Sequence, residues 1–300
     1  MGRAAGTGPP ARTVPAGRRP RPAGLEVAWM TTFVLVSGGY TGGWIWREVA
    51  DHLRAVGHRA EPVTLTGMGD RRHLSGPGTD LNTHIEDVAQ VLDHVGAGEE
   101  DEAGETVLVA HCYGAYPALG AADRDPDRLA RLVYVDAGLP ADGVSVLDAL
   151  PDPAVRERLH RRAQEHGDGW RLPPPSFEET DIWGSLDGIS EEGRDRLARF
   201  AAPQPLPTLT QPVRLSGATA ALPATGIFCT KNVTSTAALR DLVASGDPRF
   251  AALADPRYGF FDLDTGHWPM LSCPGELADL LLRAAADEGE RLGPSDQAPA

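Results

Sequence analysis

The stretch that most constrains the fold of this chain runs from Thr106 to Tyr116. It begins as an apolar run rich in β-branched residues, turns sharply, and continues into small residues suited to a helix. Cys112 stands at the turn, with Ala110 two positions before it and Gly114 two positions after it. This is the pattern of a nucleophile elbow, G-x-S-x-G, with Cys for Ser and Ala for the first Gly. It predicts a thiol nucleophile, with a buried inert cysteine at a strand end as the alternative.

A Gly-rich loop, Ser37–Gly43, follows the first predicted strand, Thr31–Val36, and leads into a helix near Trp44. The loop has no Lys-Ser/Thr of a phosphate-binding P-loop, and its spacing departs from G-x-G-x-x-G. It can instead bring a backbone N–H to a developing oxyanion, beside the N–H that the elbow provides. A merely tight turn is the alternative.

Strand and helix patterns alternate along much of the chain. The predicted strands after the first are Arg59–Thr64, the elbow strand, Leu132–Val135, Gly226–Thr230 and Tyr258–Leu263. Helical patterns lie between them, the clearest over Leu81–Val95, and Ser272 is expected to cap the last helix. Such alternation is typical of βαβ units, so we expect an α/β fold with a mostly parallel central sheet flanked by helices.

The alternation stops between residues 139 and 212. This segment has helical patches at 152–164 and 190–200, several prolines, and the aromatic residues Trp170 and Trp183. We expect it to be an inserted lid over the carboxyl edge of the sheet, where open α/β folds bind ligands. The two tryptophans either line an apolar substrate pocket or form a small core of the lid itself. The predicted organisation is a disordered tail (1–29), a core (30–138 and 213–288), the lid (139–212) and a frayed end (289–300).

The net charge and the number of cysteines disfavour several classes of function. The net charge of −14 disfavours binding to nucleic acid or to anionic membranes. No apolar run reaches the length of about 18 residues that a membrane helix needs. Three scattered cysteines form neither a disulfide framework nor a metal site, so we expect a reducing cytoplasm and neither cofactor nor metal. The expected partner is a small apolar carbonyl compound, with a homodimer possible.

A thiol nucleophile needs a base within reach, and the base usually needs a carboxylate that holds its tautomer. Of the nine histidines, only His267 is predicted to lie on a loop just past a strand and before a helix. His267 is therefore the expected base, and a structural histidine at a turn is the alternative.

The order of strand, Gly-rich loop, elbow, lid and a late histidine after the last strand resembles that of the α/β-hydrolase superfamily. It looks closest to the small esterase and hydroxynitrile-lyase-like branch, whose bacterial members carry H-G-A-W-x-G-G-W, V-G-H-S-Y-G-G, L-V-Y-L-D-A and D-T-G-H motifs. The corresponding stretches here, within roughly residues 30 to 285, are Ser37–Trp44, Ala110–Ala115, Leu132–Ala137 and Asp264–His267. The resemblance implies Cys112 as nucleophile, His267 as base, and the backbone N–H groups of Gly39 and Tyr113 as oxyanion donors. We expect Gly38, Tyr40, Trp170 and Trp183 to contact the substrate.

The chain departs from that family at three places. Ser37 replaces the usual histidine of the loop, and Cys112 replaces the usual serine. The superfamily's acid commonly follows the strand after the lid, but Cys229–Asn232 offers no carboxylate there. We therefore expect Asp136, at the end of a neighbouring strand, to be the acid. Its alternative role is to cap the loop that follows.

A cysteine nucleophile forms a thioester intermediate, which amines and thiols attack readily. The first hypothesis is a Cys-His-Asp enzyme for hydrolysis or acyl transfer on a small apolar ester, lactone or thioester. The second is a lyase, cyclase or cofactor-free oxygenase that uses His267 as a general base without an acyl-enzyme. The third is a non-catalytic ligand-binding protein.

Overall fold

The computed structural model describes residues 30–96, 104–232 and 234–293. Outside these residues lie the predicted tail (1–29), residues 97–103 before the elbow strand, and the end of the chain beyond residue 293. Among the described helices, none is both long enough and apolar enough to cross a bilayer.

The described residues form a central sheet of six strands, all paired in parallel, in the spatial order β2-β1-β3-β4-β7-β8. The predicted α/β fold with a parallel sheet flanked by helices is confirmed. The strands of this sheet are β1 (Thr32–Val36), β2 (Arg59–Val63), β3 (Thr106–His111), β4 (Arg131–Val135), β7 (Ala224–Cys229) and β8 (Tyr258–Leu263). Two short strands, β5 (Arg171–Leu172) and β6 (Gln204–Pro205), pair antiparallel outside it.

Helices cover the sheet and fill the segment between β4 and β7. Before β4 come α1 (Arg47–Ala55), α2 (Leu81–Val95) and α3 (Ala115–Arg124). Between β4 and β7 come α4 (Val146–Ala149), α5 (Pro153–His166), α6 (Thr180–Trp183), α7 (Glu191–Phe200) and α8 (Pro207–Thr210). After β7 come α9 (Thr236–Ala244), α10 (Pro269–Ser272) and α11 (Pro274–Ala285).

The sequence of each strand explains its place in the sheet. Every residue of β1, β4 and β7 is buried, as continuous apolar runs covered on both faces require. The edge strand β2 instead exposes Arg59 and Glu61 and buries Ala60 and Val63. Because parallel strands end at a common edge, the loops after β1, β3, β4, β7 and β8 meet there.

Local capping fixes several helix ends. Asp80 accepts a hydrogen bond from the Thr83 N–H (2.9 Å) at the start of α2, and Thr83 bonds back to form a capping box. Asp152 and Ser190 cap α5 and α7 with their side chains. Helices therefore occupy both patches predicted between residues 139 and 212, whereas the role of this segment as a lid stays a prediction.

The prediction that Ser272 caps the last helix is wrong. Ser272 ends α10, and α11 begins two residues later at Pro274, after Cys273, which makes no side-chain cap bond. The Ser272 hydroxyl is already bonded to Thr265 Oγ1 (2.6 Å) and to the Trp268 carbonyl oxygen (3.2 Å). These bonds fasten the loop after β8 to α10.

Candidate active site

Cys112 occupies a strained turn between β3 and α3. Its φ of +51° lies in the left-handed region, which residues with a side chain rarely adopt. The neighbouring Gly114 has no room for a side chain, since a Cβ there would lie 2.7 Å from the Ser37 carbonyl oxygen. The small residue that the elbow pattern requires therefore allows the β1 loop to pass close beside the thiol.

Three donor groups act on the pKa of the Cys112 thiol, namely the His267 side chain and the backbone N–H groups of Tyr113 and Gly39. Burial raises the pKa of Cys112, but the charge of His267 and these three hydrogen bonds outweigh burial, so the net pKa is lowered. Tyr113 lies two residues before α3 begins, and the positive end of the dipole of α3 also favours negative charge at this turn. The surroundings thus favour a thiolate.

His267 and Asp136 meet on the far side of the imidazole ring. His267 Nδ1 lies 2.5 Å from Asp136 Oδ2, and Asp136 Oδ1 accepts a bond from the Cys229 N–H at 3.2 Å. Burial raises the pKa of Asp136, yet the hydrogen bond and charge of His267 bring it below its usual value. Burial likewise lowers the pKa of His267, but Cys112 and Asp136 on its two sides raise it overall. The structure thus brings the expected nucleophile, base and acid together, with His267 between Cys112 and Asp136.

Asn232 also contacts Asp136 and His267, and the sequence did not indicate it as a site residue. Its Nδ2 donates to Asp136 Oδ2 at 2.7 Å and lies 3.2 Å from His267 Nδ1. It stands in the loop after β7, where the superfamily's acid was expected and no carboxylate was found. That position was the available signal, but an amide in a loop indicates no chemistry by itself.

His111, the variable residue of the elbow, supports the turn that carries His267. Its Nε2 lies 2.7 Å from the His267 carbonyl oxygen, which only accepts, so Nε2 carries the proton. Burial lowers the pKa of His111 to about 3, so the ring is neutral. The predicted substrate contact Gly38 packs against this ring, since a Cβ there would lie 2.6 Å from His111 Nδ1.

Residues between α6 and α7 also hold the turn with His267. The His267 N–H donates to the Ser185 carbonyl oxygen at 2.8 Å, and the Ser185 N–H donates to Asn232 Oδ1 at 2.8 Å. Gly184, with a φ of +70°, lies so close that a Cβ would be 2.6 Å from His267 Cβ. The base is therefore fixed from the β4–β7 segment as well as from the sheet.

The aromatic residues that were expected to contact the substrate have different surroundings in the structure. Trp183 is 1% exposed, and its ring packs against Tyr40 and Trp268 at centroid distances of 5.4 and 5.5 Å. Trp268 in turn contacts the His267 ring at 5.3 Å, so Trp183 and Tyr40 belong to the surroundings of the candidate site. Trp170 instead packs under the Arg171 guanidinium at 5.1 Å, and its carbonyl oxygen accepts a hydrogen bond from the Leu206 N–H.

A cavity of about 600 Å³ opens behind the His267–Asp136 pair. Its walls are mainly apolar, and its polar end includes Asp136, Asn232 and His267, whereas Cys112 is not part of its lining. Within the described ranges, no cluster of three or more His, Cys, Asp or Glu side chains could hold a metal ion. The arrangement brings together a thiol, an imidazole, a carboxylate and backbone N–H groups, which are the kinds of group that acyl transfer uses.

Comparison with known proteins identifies the family to which the chain belongs. Residues 33–280 match the alpha/beta hydrolase family, and the chain belongs to that family. Over 265 residues it is 33% identical to the carbendazim hydrolyzing esterase of Nocardioides sp., covering 84% of this chain and 98% of that protein. Over 108 residues it is 32% identical to methylesterase 4 of Arabidopsis thaliana, covering 36% of this chain and 40% of that protein. These relatives identify the chain as an enzyme of the hydrolase class, in an esterase-containing family.

Solved structures agree on the fold. An extracellular alpha/beta-hydrolase from a Paenibacillus species superposes with a TM-score of 0.65 at 19% identity, covering 85% of this chain and 98% of that chain. Tomato methylketone synthase I, complexed with 2-tridecanone, superposes with a TM-score of 0.62 at 18% identity, covering 86% and 98% of the two chains. At this level of identity the likeness concerns the fold alone.

Proposed function

We propose that this enzyme hydrolyses small apolar esters through a thioester on Cys112, with His267 as general acid and base and Asp136 as the supporting acid. The observation that carries the proposal is the environment of the thiol. Cys112 lies partly buried on a left-handed turn between β3 and α3, and the charge of His267 together with hydrogen bonding from His267, Tyr113 N–H and Gly39 N–H lowers its pKa. An inert structural cysteine has no such set of donors; buried Cys229, whose pKa is raised by burial and by Asp136, is the contrasting case in the same chain.

The chemistry follows from this arrangement in two halves. The Cys112 thiolate attacks the ester carbonyl carbon, and the carbonyl oxygen becomes an oxyanion that the N–H groups of Gly39 and Tyr113 stabilise. The carbon–oxygen bond to the alcohol then breaks, and protonated His267 gives its proton to the departing alkoxide. In the second half, neutral His267 takes a proton from water, the hydroxide attacks the thioester, and the carboxylic acid and the thiolate–imidazolium pair are released. Asp136 stabilises the imidazolium throughout.

The surroundings favour an apolar, uncharged substrate. Tyr40 and Trp183 present aromatic surface beside His267, and the Asp136 carboxylate together with the net charge of −14 disfavours substrates that carry a carboxylate. We propose that the segment from residue 139 to 212 acts as the lid, with the buried Trp183, and not Trp170, in the aromatic packing next to His267. Carbendazim and methyl esters are the first substrates to assay, because relatives of this chain are named for their hydrolysis.

The proposal is tested by following the intact mass of the protein during reaction with p-nitrophenyl acetate. We expect one acetyl group on Cys112, no adduct in Cys112→Ala, and an unchanged adduct in Cys273→Ala, which removes another partly buried thiol. Hydroxylamine should release the acetyl group, because it cleaves thioesters. Wild-type protein that turns over esters without any adduct, together with turnover that survives Cys112→Ala but not His267→Ala, would instead support general-base chemistry by His267. Absence of both adduct and turnover with carbendazim, methyl esters and the activated ester would refute the proposal.

A further inference from the structure

A buried set of hydrogen bonds connects the Gly-rich loop after β1 with β6 and α8 of the β4–β7 segment. Gln204 Oε1 accepts from the Tyr40 N–H at 3.3 Å, and Gln204 Nε2 donates to Thr208 Oγ1 at 3.1 Å. The Thr208 hydroxyl donates to the Pro205 carbonyl oxygen at 2.6 Å. Tyr40 follows Gly39 in the chain, so the network ends beside the Gly39 N–H, one of the two proposed oxyanion donors.

The proton positions in this network are determined by its two ends. The Tyr40 N–H can only donate, which makes Oε1 of Gln204 the acceptor and leaves its NH₂ group for Thr208. The Pro205 carbonyl oxygen can only accept, so the Thr208 hydroxyl proton points to it. The network therefore has a single consistent direction.

The contact with Gln204 is also steric. A Cβ at position 39 would lie 2.9 Å from Gln204 Oε1, so the amide oxygen sits directly against Gly39. Tyr40 has a φ of +62°, and its carbonyl oxygen accepts a bond from the Ala202 N–H at 2.8 Å. The N–H and the carbonyl oxygen of Tyr40 are thus both hydrogen-bonded, by Gln204 in β6 and by Ala202 just before it. A strained conformation persists only where the surroundings hold it.

Gln204 and Thr208 are 1% and 0% exposed, so water does not replace a lost partner without cost. Removing either side chain leaves a buried donor or acceptor unpaired. The loop with Gly39 is then held only by its remaining bonds, such as that of Ala202 to Tyr40. The orientation of the Gly39 N–H therefore depends on the side chain at position 204.

We propose that Gln204 and Thr208 are positioning residues that align the Gly39 N–H group on the oxyanion. The inference rests on the proposed thioester chemistry and extends it to the β4–β7 segment, which thereby helps to build the catalytic centre besides covering it. Neither side chain contacts the thiol. Their effect should accordingly appear in steps that form an oxyanion and be absent from steps that do not.

Two reactions of the Cys112 thiol, one that forms an oxyanion and one that does not, test this expectation. Acylation by p-nitrophenyl acetate forms an oxyanion, whereas alkylation by iodoacetamide displaces iodide and forms none. Gln204→Leu should slow acylation by about 100-fold, the order expected from misplacing a catalytic group by roughly 1 Å. Its plateau rate of alkylation, measured at a pH where the thiol is fully ionised, should equal that of the wild type. Thr208→Val should behave in the same way, and Thr208→Ser, which keeps the hydroxyl, should restore acylation.

Gln211→Leu is the matched control. Gln211 lies in the same segment, but its Oε1 accepts from the Leu81 N–H (2.7 Å) and the Asn82 N–H at the start of α2. It should lower the melting temperature and leave acylation unchanged. Equal losses of acylation and alkylation in Gln204→Leu and Thr208→Val, or no loss of acylation in either, would overturn the inference.

A third measurement does not depend on catalysis. In Gln204→Leu, amide hydrogen exchange of the peptide containing residues 38–42 should accelerate relative to both wild type and Gln211→Leu. Unchanged exchange there refutes the positioning role even if the wild type forms no acyl-enzyme. Faster exchange in a wild type that does not acylate would refute the proposed function and retain the structural role of Gln204.

Discussion

Replacing Asp136 by Asn tests the charge that supports His267. Both carboxylate oxygens of Asp136 receive N–H donors: Oδ1 from Cys229, and Oδ2 from Asn232 and His267. Whichever way an amide is turned at this position, its NH₂ group faces at least one of those donors. The variant therefore loses the negative charge and also places two donors against each other in a buried site.

The size of the effect follows from the bond that is lost. A hydrogen bond to a charged group contributes about 1.5–3 kcal/mol, and one pKa unit corresponds to about 1.36 kcal/mol. The pKa of His267 should therefore fall by about one to two units. The pKa of Cys112 should rise, because the charge on His267 is the largest of the effects that lower it. Ester hydrolysis should fall by more, about 10⁴-fold, since the base also loses the partner that holds its tautomer.

The assay is the rate of iodoacetamide alkylation between pH 5 and 10, read by intact mass. The reactive ion pair exists above the pKa of Cys112 and below that of His267. Because the first is lowered and the second raised, wild-type alkylation should stay high well below the ordinary thiol pKa of about 8.5. In Asp136→Asn the profile should move to higher pH, with alkylation at neutral pH about ten- to 100-fold slower.

Asp264→Asn is the control, because Asp264 is close to His267 in the chain but pairs with Lys231 at 3.4 Å on the surface. It should leave the alkylation profile in place. The double variant Asp136→Asn/Asn232→Asp returns a carboxylate to the neighbourhood of His267 Nδ1 and should recover part of the shift. An Asp136→Asn profile that coincides with the wild type would falsify the assignment of Asp136 as the supporting acid.

Three further variants test the framework around the site. Gly114→Ala places a Cβ against backbone oxygen and should destabilise the fold by about 1–3 kcal/mol in urea titrations, whereas Gly76→Ala, with open space around it, should not. Asp80→Ala removes the capping box of α2 and should cost about 1 kcal/mol in the same titration, with unchanged alkylation of the thiol. Gly184→Ala crowds the base and should reduce kcat for ester hydrolysis more than it raises KM; an unchanged kcat would contradict the close packing.

The sequence was sufficient for the fold because its signals are local and repeated. Each central strand is a short β-branched or aromatic run, and α2 carries its own cap and apolar face. Cys112 and His267 could be selected because an elbow and a turn after the last strand occupy fixed places relative to a parallel sheet. Their convergence depends on strand order, which this fold class largely determines.

What could not be predicted depends on contacts between distant segments. Trp170 and Trp183 look alike in sequence, and only the packing of the β4–β7 segment places one against Tyr40 and the other against Arg171. Gln204 is a polar residue between prolines, without any periodic pattern, yet it is buried against the β1 loop. The break between α10 and α11 was missed because Ser272 has the chemistry of a cap, while its hydroxyl is used elsewhere.

Asn232 and Asp136 show how the electrostatics of such a site restrict its residues. Asn232 Nδ2 lies 2.7 Å from Asp136 Oδ2, so a carboxylate at both positions would place two negative charges in contact. Such a pair shares a proton, and one of its pKa values is strongly raised. A neutral amide at 232 avoids this repulsion, donates to Asp136 and leaves one full negative charge facing His267. On the proposed assignment of Asp136 at the end of β4 as the acid, the residue after β7 is best a hydrogen-bond donor, and the amide of Asn232 meets that condition.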